Sequence, residues 1–268
     1  MGKVELYYFS GTGNSLYAAR ELHKRIPGAS LIPIVGLLDK EVIEARGDCV
    51  GFVFPVYFTA IPSVVKDFIK KLNLGSSKYI FAVATRVGTT HSAFESIEKH
   101  LQAKGKSLDA GFSLNMANNN PRFKYRAPTQ KELKRIEAGV QDRLNGIHEI
   151  IKNNEVSREK DTGYITRVPF VNVISLFLDL VRPNARFFCD SKCSGCGTCE
   201  RVCLSQKIKM MGDKPVWQKD VRCYHCWACI NYCPMQSVQA NSKTKDYDRY
   251  PHPYADADDI AAQKAIEE

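Results

Sequence analysis

Long apolar runs are missing from this 268-residue chain. The longest, Val168–Val181, is interrupted by Asn172 and Asp179 and is too short to span a bilayer. No charged-then-apolar leader precedes the first strand-like segment, so the expectation is a cytoplasmic protein with no membrane span. Dense basic runs are absent as well. The formal net charge is +9, and residues 1–153 account for +8 of it, yet Lys and Arg are scattered along helix-like segments without interleaved aromatics. They read as solvated helix faces, and nucleic acid is not an expected partner. No Ser-His-Asp or paired-carboxylate constellation stands out, which argues against hydrolytic chemistry. Cysteine is scarce too: through residue 188, Cys49 stands alone.

The other nine cysteines fall between Cys189 and Cys233. A disulfide framework belongs to short exported chains, whereas clustered thiols in a reducing compartment are more often metal ligands. This break in composition divides the chain into residues 1–153, a linker over 154–186, a cysteine-rich unit over 187–240 and a tail over 241–268. Within the linker, Asn172, Ser175 and Asp179 share one stripe of an otherwise apolar helical pattern without Lys or Arg. That suits a packing helix better than a membrane-surface one. Tyr247, Tyr250, Pro251 and Tyr254 are candidates to anchor the tail.

Strand-like and helix-like runs alternate through residues 1–153. The strands read as Val4–Phe9, Leu31–Ile34, Cys49–Phe54, Tyr79–Thr85 and Ser107–Met116, several of them apolar throughout, as strands buried on both faces are. Helical spacing links Leu16, Ala19, His23 and Ile26, then Val64, Val65, Phe68, Ile69 and Leu72 behind Pro62, then Phe94, Ile97 and Leu101. A fourth helix opens on the capping-box pattern Thr129-Gln-Lys-Glu132 and carries Leu133, Ile136, Val140, Leu144, Ile147 and Ile151 on one face. The pattern predicts an α/β fold: a doubly wound, five-stranded parallel sheet.

Ligands of such sheets bind beyond the carboxyl ends of the strands, where the strand order reverses. There the first strand runs into Ser10-Gly11-Thr12-Gly13-Asn14-Ser15 and then a helix. A helix N-terminus with two glycines, three hydroxyls and an amide suits a phosphate. It is neither a Walker A loop, which needs a lysine after the second glycine, nor a GxGxxG fingerprint, because Leu16 holds the third glycine's place. A merely polar turn is the plainer alternative.

The loop resembles the Ser/Thr-rich phosphate loop of flavodoxins, and the resemblance implies FMN. It also implies that the loops after the third and fourth strands contact the flavin ring. Those are Tyr57 and Phe58 as stacking candidates, with Thr85, Arg86, Val87 and Gly88 facing the pyrimidine edge. Arg86 there would favour the anionic reduced flavin, and an unchanged midpoint in Arg86→Ala would refute that. Either aromatic alone is equally readable as an ordinary core residue. Asn118-Asn-Asn-Pro121 lies at the same edge.

The cysteine-rich unit holds Cys193-x2-Cys196-x2-Cys199-x3-Cys203, repeated thirty residues later as Cys223-x2-Cys226-x2-Cys229-x3-Cys233-Pro234. This is the [4Fe–4S] ferredoxin spacing, in which each fourth cysteine serves the other cluster. One set is then Cys193, Cys196, Cys199 and Cys233, and the other is Cys223, Cys226, Cys229 and Cys203. Structural zinc, which gathers two separated ligand pairs, fits this spacing poorly. The unit resembles a small α+β bacterial two-cluster ferredoxin, departing from it where Leu204 replaces the proline after Cys203. Cys189 reads as a spare thiol and His225 as a neighbour of the cluster. Trp217 and Trp227 read as shields, while His23, His91 and His100 form no ligand group.

The whole chain resembles the flavodoxin–ferredoxin fusion family. The resemblance implies an electron-transfer protein with two [4Fe–4S] clusters and FMN, working with a redox protein as donor or acceptor. An FMN-dependent reductase acting on a small-molecule acceptor is the alternative, and a redox sensor is a third reading.

Overall fold

The computed structural model describes residues 2–57, 60–88, 90, 92–121, 125–159 and 187–265. Phe58, His91 and the expected packing helix Val168–Val181 lie outside the described residues. Among the described residues, no helix is long and apolar enough to cross a membrane.

The sheet is built from β1 (Val4–Tyr8), β2 (Ser30–Pro33), β4 (Cys49–Pro55), β6 (Tyr79–Arg86), β7 (Ala110–Asn115) and β8 (Ser157–Arg158). A separate two-residue pairing joins β3 (Ile43–Glu44) to β5 (Leu72–Asn73). Every ladder of the main sheet is parallel, in the order β2-β1-β4-β6-β7-β8. All of β1 is buried, as are all but the last residue of β4 and of β6, so the sheet is covered on both faces. α1 (Asn14–Arg25) packs on α4 (Gln130–Lys152), and α2 (Ser63–Lys71) on α3 (Ala93–Gln102). The predicted capping box opens α4: Glu132 N–H donates to the Thr129 side chain, and the Glu132 carboxylate accepts from Thr129 N–H at 2.7 Å. Strand order reverses at β1, with β2 on one side and β4 on the other. The sheet is of the flavodoxin type.

It has six strands where the sequence predicted five. The sixth, Ser157–Arg158, pairs with only Ala110 and Gly111 at the free edge of β7. A Ser-Arg pair has neither an apolar run nor an alternation, so only backbone hydrogen bonding reveals it.

The cysteine-rich lobe is a short antiparallel α+β unit. β9 (Phe188–Cys189) pairs with β12 (Val238–Gln239), and β10 (Ile208–Met211) forms a hairpin with β11 (Lys214–Trp217). Two four-residue helices carry the third cysteine of each triplet, α5 (Thr198–Arg201) with Cys199 and α6 (Ala228–Asn231) with Cys229. The thirty-residue duplication extends to the backbone. Left-handed residues occur in matched pairs: Gly195 and His225, Gly197 and Trp227, Gln206 and Gln236.

Residues 241–265 are folded onto the sheet lobe and contain a helix, α7 (Ala257–Ala261), with its own capping box. Tyr250 is buried, whereas Tyr254 is exposed. Tyr17 stacks on His252 with ring centroids 4.4 Å apart. One hydrophobic core runs through both lobes, because Val202, Leu204, Ala228, Ala255 and Ile260 join the sheet's own apolar residues.

Candidate functional site

At the switch point between β1 and β4, the predicted loops converge on a cavity of about 240 Å³. Ser10, Gly11 and Thr12 line it from the loop before α1 and Asn14 and Ser15 from that helix's first turn, joined by Tyr57, Thr85, Arg86 and Val87 and by Asn118, Asn119 and Asn120. Gly13 and Gly88 do not line it. Gly13 has φ +99° and caps α1, facing His252 and Ala255. Gly88 sits beyond β6 with φ +85°. The cavity shares Val87, Ala117 and Asn118 with an open hollow of about 1110 Å³ between β7 and α4.

Within the loop, several polar groups hold one another. Ser10 Oγ accepts from Gly13 N–H at 3.1 Å, and Ser15 Oγ lies 2.7 Å from Thr85 Oγ1. Asn14 Nδ2 donates to the Ala117 carbonyl at 2.8 Å, and Asn119 donates to Thr12 Oγ1. Among the described residues, Asn14 Oδ1, Asn120 Oδ1 and Arg86 Nε are buried without a hydrogen-bond partner. All three residues line this cavity. An unsatisfied buried polar atom is costly, so two acceptors and one donor at one cavity match a ligand carrying both kinds of group. The ribityl hydroxyls, ring N–H, carbonyls and phosphate of FMN are such a set, and the first turn of α1 leaves backbone N–H groups for an anion.

The sequence missed what stands over this loop. A Cβ on Gly11 would lie 2.2 Å from the Cys226 carbonyl oxygen, so the loop is pressed against the second cysteine run. Trp227, from that same run, lines the cavity and is 4% exposed. Gln263 grips the loop from the tail, accepting from Ser10 N–H at 2.9 Å and donating to the Ser10 carbonyl at 2.8 Å. His252 N–H donates to the Thr12 carbonyl at 2.8 Å. Only the mismatch of Trp227 with Gly197, thirty residues earlier, was readable as a signal in the sequence.

The eight cysteines of the two runs fall into two groups. Cys193, Cys196, Cys199 and Cys233 line one small hollow. Burial pushes the Cys199 thiol up to about 12, and the neighbouring Cys233, Cys193 and Cys196 act in the same direction. Cys223, Cys226 and Cys229 interact with one another and with Cys203, which comes from the other run. Burial raises Cys223 to about 11, and raises Cys226 and Cys229 further. Cys196 differs: Thr198 is hydrogen-bonded to it at 3.4 Å and draws its thiol downward, and the residue is exposed. The first group therefore lies nearer solvent and the second lies against the sheet lobe. Among the described residues, no group of three or more His, Cys, Asp or Glu side chains is arranged for a single metal ion. A cube differs in its demand, since each thiolate binds a different iron.

Other side chains fall into place around these groups. Tyr57 is half-buried at the cavity and near the second group, and desolvation of its hydroxyl keeps it protonated, with Cys226 and Cys223 adding to the effect. Cys189 pairs across β12 and remains beside Cys193. His225 N–H donates to Cys223 Sγ at 3.4 Å. Trp217 packs on the core that holds Cys199, Cys203 and Cys233. His23 is exposed on α1, and His100 Nδ1 is 2.7 Å from the Ser96 carbonyl on α3.

No family model matches the chain, and no curated protein matches it. Many solved structures are similar to part of it, among them two flavodoxins and a quinone oxidoreductase. A flavodoxin from the domain Archaea is 15% identical, covering 54% of this chain and 98% of its own, with a TM-score of 0.34. The Megasphaera elsdenii flavodoxin in its two-electron reduced form is 16% identical, covering 52% and 98%, with a TM-score of 0.32. An NAD(P)H:quinone oxidoreductase from Methanothermobacter marburgensis is 10% identical, covering 56% and 96%, with a TM-score of 0.37. The fold assignment itself rests on strand order, register and burial.

Proposed function

We propose that the chain is an iron–sulfur flavoprotein that passes electrons between two [4Fe–4S] clusters and FMN, with a redox protein as donor or acceptor. The observation that carries this reading is the juxtaposition of two four-cysteine groups, one of them pressed against a cavity at the switch point of a flavodoxin-type sheet. Cys193, Cys196, Cys199 and Cys233 would hold the outer cluster, and Cys203, Cys223, Cys226 and Cys229 the inner one. Ser10, Thr12, Asn14 and Ser15 would bind the FMN phosphate, and Arg86, whose Nε–H is buried without a partner, lines the same cavity. When bound, clusters supply single electrons and flavin exchanges one or two.

The protein's own contribution is separation and shielding. One continuous core fixes the two lobes relative to each other, which replaces a diffusional encounter with an intramolecular one. Burial penalises the thiolate form of Cys199 and Cys223, so the positive irons of a bound cluster would be what keeps these ligands as thiolates. Tyr57 and Trp227 keep water from the space between cavity and inner cysteines.

The test is anaerobic reconstitution of the full chain, followed by iron, sulfide and flavin counts and a visible spectrum. Eight irons, eight sulfides and one FMN per chain are expected for two cubes and one flavin. A colourless protein holding two zinc ions overturns the reading. The open hollow beside the cavity favours one second reading, an FMN-dependent reductase, because a small acceptor has room there. Steady turnover of a small quinone or nitro compound without a protein acceptor distinguishes it.

A further inference from the structure

The two cysteine runs share a backbone but not its side chains. In the first run the left-handed positions inside the triplet are Gly195 (φ +73°) and Gly197 (φ +74°). In the second run the same positions are His225 (φ +52°) and Trp227 (φ +62°). Glycine takes this conformation freely, whereas a bulky residue is held there only when its surroundings demand it. Trp227 fills core on one side, meeting Phe187 edge-on with ring centroids 5.7 Å apart, and does so from a turn that its twin builds with glycine. The residue is almost wholly buried and also lines the cavity formed by the loop before α1, Tyr57 and the β6 loop.

The residues around Trp227 tie that cavity to the inner cysteine group. Cys226 precedes it, with its carbonyl over Gly11, and Cys229 follows two residues later. Asn231, on the same short helix, donates from Nδ2 to the Asn119 carbonyl at 3.1 Å and accepts from Tyr250 N–H at 3.0 Å. The second run therefore supplies one wall and holds the asparagine loop that supplies another.

Building on the FMN reading above, we propose that the flavin site is bipartite: Trp227 of the cysteine-rich lobe is a flavin-binding residue. Because its two flanking cysteines belong to the inner group, tight FMN binding requires that group to be assembled. The sheet lobe alone presents a phosphate loop with one wall missing. Loss of the inner cluster thus weakens flavin binding, and bound flavin in turn protects the inner cluster, since such coupling is reciprocal.

The test titrates FMN into the full-length, iron- and sulfide-loaded protein and follows flavin fluorescence for wild type, Trp227→Gly, Trp227→Leu and Trp227→Phe. Trp227→Gly installs the residue that the first run uses at this turn, so the iron content is expected to hold. Its FMN dissociation constant is expected to rise about tenfold or more, with Trp227→Leu similar and Trp227→Phe within about threefold of wild type. Wild-type protein stripped of iron by a chelator is expected to bind about tenfold more weakly as well. If Trp227→Gly takes up no iron, Trp227→Leu carries the comparison. Fully iron-loaded Gly or Leu variants that bind FMN as tightly as wild type overturn this inference and leave the flavin reading standing. Fully loaded wild-type protein that takes no FMN overturns that reading and the inference with it.

Discussion

The inner and outer cysteine groups are the most informative pair of regions in the molecule. They share spacing and turns, yet their surroundings diverge residue by residue. Leu204, after the last cysteine of the first run, is 2% exposed and joins the core shared with the sheet. Its counterpart Pro234 is exposed. The departure from the ferredoxin pattern at Leu204 is thus a docking contact, present only where the cysteine belongs to the inner group. Tyr224 meets Phe9 edge-on with centroids 6.2 Å apart, where the outer run has Ser194. The duplicated motif keeps its cysteine spacing in both copies, and each copy gives one docking residue beside the inner group, Leu204 from the first and Tyr224 from the second.

On the cluster reading proposed above, removing iron tests this difference most severely. A unit of this size whose core includes its own ligand cysteines has little else to hold it, so the cysteine-rich lobe is expected to lose its structure while the sheet persists. Timed chelation with iron counts and hydrogen exchange should show the outer group releasing iron first, because Cys196 is exposed. Simultaneous release from both groups would break the comparison. Next in size is Leu204→Ala, which should cost about 2–5 kcal/mol in denaturant unfolding of the loaded protein, against within about 0.5 kcal/mol for Pro234→Ala. Equal effects would mean that Leu204 does not dock the lobe.

Acidification probes the tail that closes over the loop. His252 is 3% exposed, and burial lowers its pKa from 6.5 to about 4. The folded state therefore favours the neutral ring, which accepts from Tyr254 N–H through Nδ1 at 3.3 Å. Its contribution is present above the unfolded value and is lost as pH falls from 6.5 towards 4, amounting to about 3 kcal/mol. The thermal midpoint should fall across that window in wild type and fall less in His252→Asn. The smallest effect is expected for Gln263→Ala, which removes both hydrogen bonds to Ser10 and should cost about 1–2 kcal/mol. A matching loss of FMN affinity would sharpen the view that the tail sets the loop's shape.

Much of this was legible beforehand because the signals were local and repeated. Apolar runs such as Val4–Tyr8 and Tyr79–Arg86 could hardly be read otherwise, and the Thr129 capping box fixed the start of α4. The two-residue strand β8 carried no pattern to read. Gly11 and Gly13 were legible as a loop, but their second role, admitting Cys226, His252 and Ala255 at close range, was not. Neither was the grip of Gln263, which lies 253 positions from its partner Ser10.

The sequence by itself determined the strand–helix alternation, the glycine- and hydroxyl-rich loop after β1 and the duplicated cysteine spacing, because each depends on neighbours within a few residues. Only the tertiary structure decided which cysteine group faces the sheet, why Leu204 stands where a proline was expected, and that Trp227 closes the cavity. Those outcomes depend on which surfaces of two lobes meet. Burial between distant segments is a property of the folded assembly, and no local periodicity records it.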